Sequence, residues 1–178
     1  MQLSRKALNA RWAWTSALAV AMLIVLYLLD SELKGRTGYG TADMQLVSSG
    51  YGLRIIVDRW ISPPNMSLAG FLLGLDYLFM PLYGAALFFG ALAALDHFAP
   101  KPGNLRRLMT RLALAPIGAA LCDAIENGLQ IYMLTHTPTN LLASFALEAT
   151  AGKWLGVLIG LILSIAALIG RIIKFRAS

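Results

Sequence analysis

Residues 68–95 read LAGFLLGLDYLFMPLYGAALFFGALAAL, and Asp76 is the one charged side chain in that stretch. A helix needs about 20 mainly apolar residues to cross the hydrocarbon core of a bilayer, and this run exceeds that length. It lacks the period-two alternation of a barrel strand, so a helix is the form that pairs its backbone amides in apolar surroundings. Three further runs behave alike, at 12–29 (WAWTSALAVAMLIVLYLL), 108–134 and 154–175. The chain therefore reads as an all-α membrane protein, with four transmembrane helices in an antiparallel bundle and a single integral membrane domain over 1–178.

Composition points the same way. Of 178 residues, 58% are hydrophobic and 13% charged, whereas soluble domains carry about 25% charged residues. Arg5, Lys6 and Arg11 precede the first run as in a secretory signal, but the run ends in Leu28, Leu29, Asp30, Ser31 and Glu32, without a small-x-small cleavage site. An uncleaved anchor is expected.

The net charge of +6 follows the topology. With the N-terminus inside, Arg5, Lys6, Arg11, Lys101, Arg106, Arg107, Arg111, Arg171, Lys174 and Arg176 lie on the inner side, against Lys34, Arg36, Arg54, Arg59 and Lys153 outside. This bias satisfies the positive-inside rule with both termini cytoplasmic, and it places the protein in a cell inner membrane. The charge serves orientation and attraction to membrane lipids, and nucleic acid is excluded as a partner.

Between the first two spans lies the long outer loop, 30–67. Its part 42–60 mixes Met44, Leu46, Val47, Leu53, Ile56 and Trp60 with Asp43, Arg54, Asp58 and Arg59. It is expected to form short amphipathic helices broken near Gly50 and Gly52 and stopped by Pro63 and Pro64. Such a segment either anchors in the interface, with Trp60 and Arg59 at headgroup level, or folds over the bundle as a cap. Residues 140–150 are expected as an interfacial helix or as the first turns of the fourth span.

Cys122 is the single cysteine, and His97 and His136 share no ligand spacing. A disulfide, a CxxC redox pair and a thiolate metal cluster are excluded within one chain. No cofactor and no metal site is expected, although a carboxylate-bound cation stays open.

The informative polar residues lie within the apolar runs. Carboxylates in hydrocarbon cost about 2.5–3.5 kcal/mol each even on insertion scales, so their presence asks for a reason. In GAALCDAIENGLQIYML, Asp123, Glu126, Asn127 and Gln130 follow at steps of three and four residues and build one polar stripe. Counting from the outer ends, Asp76 is eight residues past Leu68 and Glu126 eight before Leu134, so the two are expected at similar depth, where they could face each other. Tyr77 and Tyr83 add hydroxyl groups. The expected ligand-binding set is Asp76, Tyr77, Tyr83, Asp123, Glu126, Asn127 and Gln130. For acid–base work the candidates are Asp76, Asp123, Glu126 and His136, the last brought in if the outer loops fold inward.

The grouping suits a pocket for a small amphipathic, lipid-like or cationic ligand. It also allows a lipid-modifying hydrolase or isomerase, a proton-coupled carrier, or polar joints in a subunit that partners another membrane protein. Gly152, Gly156, Gly160 and Ser164 repeat every four residues. They form a small face expected to pack against another helix of the chain, with homodimerisation as the second possibility.

Overall fold

The computed structural model describes residues 4–176, with side chains described through Ile173. The side chains of Lys174 and Arg176, counted above among the inner basic residues, lie outside the described set. The elements are α1 (Arg5–Thr37), α2 (Thr41–Met44), α3 (Gly50–Arg59), α4 (Pro63–Phe98), α5 (Asn104–Ala113), α6 (Ala115–Thr135) and α7 (Asn140–Arg176). Among the described residues, four helical stretches are long and apolar enough to cross a membrane: α1, α4, α5 with α6, and α7. Large apolar side chains such as Leu18, Leu23, Ile24 and Leu28 on α1, or Leu155, Leu158, Ile162 and Ile165 on α7, stand exposed. Soluble monomers rarely expose continuous apolar surface on this scale, and the hydrophobic multi-helix bundle is consistent with a membrane protein.

The helices run beyond the spans read from hydropathy, because polar residues at an interface continue a helix at little cost. Residues 140–150 are the first turns of α7 and not a separate interfacial helix, with Thr150 Oγ1 donating to the Ala146 carbonyl within it. Pro81 is accommodated inside α4. The third run is divided: α5 ends at Ala113, and the Ile117 amide returns to the Leu114 carbonyl at 3.0 Å, a tightened turn. Pro116, which has no amide to donate, sits in the first turn of α6, where none is needed.

The chain forms two compact units. The acidic unit comprises residues 20–80 and 121–152. Its core gathers Leu33, Met44, Leu53, Ile56, Trp60, Leu72, Met133 and Ala146. The amphipathic segment appears here as α2 and α3, but its break falls at residues 45–49, and Gly50 and Gly52 open α3. Ser49 caps that helix, its Oγ accepting from the Gly52 amide at 3.1 Å. Pro63 and Pro64 begin α4, since proline fits a helix's first turn.

Trp60 is not at headgroup level. It is 0% exposed, and its indole N–H donates to the Tyr39 carbonyl at 2.9 Å and to Thr37 Oγ1 at 3.2 Å. The segment is thus a cap packed into its unit's core. Asp30 of α1 accepts from the Thr41 amide and hydroxyl at 2.5 and 2.7 Å, fixing the start of α2. At the other side the Gly50 amide donates to Asn140 Oδ1 at 2.9 Å. A methyl group at Gly50 would lie 2.6 Å from the Pro138 carbonyl oxygen, so glycine permits this approach.

The basic-ended unit comprises residues 1–19, 81–120 and 153–178. Its core is built from small residues around a few large ones: Leu8, Trp12, Ala93, Ala94, Leu95, Met109 and Ala167. Here the small face of α7 finds its partners within the chain. A methyl group at Gly156 would lie 2.6 Å from the Ala115 carbonyl oxygen, and one at Gly160 would lie 2.7 Å from Pro116 Cγ. Ser164 fills the space beside Gly90. In the acidic unit Gly152 continues the same pattern against Cys122 Sγ. Such contacts let backbones approach and gain dispersion contact where lipid removes the hydrophobic incentive.

Candidate functional site

The polar stripe of α6 lies inside the acidic unit. Asp123 is 3% exposed, Glu126 and Asn127 0%, and Gln130 1%. Their three- and four-residue steps put them on one helix face, and that face is turned to α4. Asn127 Nδ2 donates to Asp76 Oδ2 at 2.8 Å and to the Leu73 carbonyl at 3.2 Å. The Tyr77 hydroxyl donates to the Ala124 carbonyl at 3.0 Å. As numbering rises from Leu73 to Tyr77, that of the partners falls from Asn127 to Ala124, the order found between antiparallel neighbours. The residue that meets Asp76 across the two helices is Asn127, the neighbour of Glu126.

Glu126 Oε1 accepts from Gln130 Nε2 at 2.8 Å, one turn along α6. Both amide side chains therefore turn their donor ends toward oxygen: Asn127 to a carboxylate and a carbonyl, Gln130 to a carboxylate. These contacts settle which end of each amide is which. The opposite ends, Asn127 Oδ1 and Gln130 Oε1, are buried and accept no hydrogen bond from any described residue. A buried acceptor left unpaired costs about 1–3 kcal/mol. Asp76, Asp123 and Glu126 each engage in further interactions, so none is an isolated charge.

Asp123 and Glu126 are a buried carboxylate pair within a hydrophobic helical bundle, which also buries the cation Lys153 to 5% exposure. The sequence reading takes Lys153 as an outer-side cation, whereas the structure buries it. Its signal was its setting: it follows Ala151 and Gly152 and precedes Trp154 and Leu155, a poor neighbourhood for a solvated charge.

Other expected members fall elsewhere. The Tyr77 hydroxyl is spent on a helix carbonyl, so Tyr77 clamps α4 to α6; it also lies within electrostatic range of Asp76 and Asp123. Tyr83 is buried in the basic-ended unit. His136 is not brought to the carboxylates. Its ring stacks on Tyr132 at 4.0 Å, and its Nδ1 meets Thr135 Oγ1 and the Tyr132 carbonyl. Ten residues of helix, about 15 Å, separate it from Glu126, and it is exposed.

No group of three or more histidine, cysteine, aspartate or glutamate side chains among the described residues is arranged to hold a metal ion. Electrostatically the site combines buried acceptors, carboxylates and an apolar surround, so it favours what donates hydrogen bonds or carries positive charge. Comparison with protein families, with characterised proteins and with solved structures finds no match for this chain.

Proposed function

We propose that the protein is a multi-pass inner-membrane protein, both termini cytoplasmic, that binds a small amphipathic cation in the outer half of the bilayer. The ligand's charged head carries N–H donors, and its apolar part matches the surrounding helices. The observation that carries this reading is the pair of buried acceptors, Asn127 Oδ1 and Gln130 Oε1, beside the carboxylates of Asp76 and Glu126. An ammonium group would offer these oxygens the donors that the protein itself does not. In this reading Asp76 and Glu126 supply the charge, Asp123 deepens the negative field, and Asn127 and Gln130 orient the head. The exposed position of His136 leaves an acid–base alternative to the carboxylates themselves.

The test compares two probes of equal charge. Protein in phosphatidylcholine nanodiscs is titrated with octylammonium or with octyltrimethylammonium, which has no N–H, and thermal unfolding is followed. Octylammonium at a hundred-fold excess over its Kd is expected to stabilise by about 2.7 kcal/mol, with little response to the quaternary probe. Asp76→Asn combined with Glu126→Gln should abolish the difference. Equal responses to both probes, or a response that survives the double substitution, would sink the proposal.

A further inference from the structure

The cations of the two units are treated differently. In the acidic unit Lys34, Arg36 and Arg54 each meet a carboxylate: Asp43 at 2.9 Å, Glu32 at 2.8 Å and Asp58 at 3.9 Å. In the basic-ended unit Arg5 and Arg171 meet none among the described residues, yet Arg171 is held in place with care. Its Nη2 donates to Asn9 Oδ1 at 2.6 Å, and its guanidinium lies 4.8 Å from the centre of the Trp12 ring. Arg5, four residues before Asn9 on α1, shares the helix face on which Asn9 meets Arg171. Two like charges thus belong to the face where α1 meets α7, one of them part-buried and fixed by a hydrogen bond and an aromatic face. Only one of Arg171's five N–H donors goes to Asn9, and the others have no hydrogen-bond acceptor among the described residues.

What lies beside the cations indicates the class of anion. Leu168, three residues before Arg171, and Ile172, next to it, lie within about 100° of it around α7 and stand exposed. A free phosphate would use the guanidinium and leave this apolar strip uncovered. A molecule with a phosphate joined to acyl chains would use both. We propose that Arg171 and Arg5 hold the phosphate of an anionic phospholipid whose acyl chains lie along Leu168 and Ile172 of α7. Asn9 and Trp12 are positioning residues that set the guanidinium for this contact. The site is separate from the carboxylate group and stands on different observations.

The test uses purified protein in dodecylmaltoside micelles, with native mass spectrometry reading retained dioleoylphosphatidylglycerol against dioleoylphosphatidylcholine at equal concentration. The native chain is expected to retain the anionic lipid about tenfold better, as two cations near a headgroup allow. Arg5→Gln with Arg171→Gln should remove that preference while leaving phosphatidylcholine retention unchanged. Arg171→Lys, which keeps the charge but not the planar fork, should lower the preference severalfold with unchanged thermal unfolding. Arg107→Gln, on an exposed face of α5, should leave it intact. Equal retention of the two lipids, an equal loss in Arg107→Gln, or full preference in the double variant would overturn the proposal. So would sodium phosphate displacing the lipid when sodium chloride at matched ionic strength does not, since the site would then be one for free phosphate.

Discussion

In the acidic unit α4 and α6 meet through side chains that carry hydrogen bonds, Asn127 to Asp76 and Tyr77 to Ala124, and the cap above them closes on a tryptophan. In the basic-ended unit α7 meets α6 through Gly156 and Gly160, each set closely against residues at the start of α6. The first arrangement spends polar groups to orient helices and leaves acceptors over. The second needs no orientation by polar groups, because a backbone fitted into a backbone already has one register. The buried carboxylates and amides are therefore concentrated where packing alone does not fix the helices.

The largest effect that separates the two regions is expected from Trp60→Ala, which empties the centre of the cap core and removes the indole's hydrogen bonds. It should cost about 3–5 kcal/mol, read by denaturant unfolding in micelles, with amide exchange rising across α2 and α3. A loss below 1 kcal/mol would mean that the cap is not an integral part of its unit. Next comes Gly156→Ala, whose methyl group meets backbone oxygen and not a movable side chain, for a cost of about 1–3 kcal/mol. The same change at Gly70, with open space around it, should cost nothing of that kind, and equal effects at both positions would remove the distinction drawn for α7. Tyr77→Phe deletes one interhelical hydrogen bond and is expected to cost about 0.6 kcal/mol, the usual scale in membranes, measured against the native chain under identical conditions.

The smallest effect is a pH dependence confined to the cap. Burial pushes the Asp43 carboxyl up, but the Gly40 amide and the Lys34 ammonium outweigh it and hold the group below its ordinary 3.8. Its contribution is thus fully present above the unfolded pKa of about 3.9 and fades as pH falls through the lower folded value. Cap protection should decline below about pH 4, and Asp43→Asn should flatten that step. An unchanged acid profile in the variant would remove Asp43 from the account.

Much of this was legible from residue order. The helices that can span follow from apolar run length, and the α6 stripe follows from steps of three and four residues. The approach of Asp76 to the α6 stripe needed only a count from the ends of two runs. What escaped depends on contacts between distant segments. Gly50 looks like a helix breaker until Pro138 and Thr139 are seen against it. Trp60 suits an interface by type, and only the Tyr39 carbonyl and Thr37 hydroxyl show why it is buried. Lys153 looks like an outer charge, since hydropathy scores a lysine alike wherever its ammonium ends. The division of the third run at Leu114 was masked by its unbroken apolar character. Pro116 carried the local signal, since proline suits the first turn of a helix.

The hydrogen bond from Gly50 to Asn140 joins positions 90 residues apart. During synthesis from the N-terminus, α3 is complete long before its acceptor exists, and α4, α5 and α6 must all be made first. The cap's final seating is therefore a late event in biogenesis, tied to the arrival of the last helix. A ribosome-bound chain ending before residue 140 has no means of making that closure.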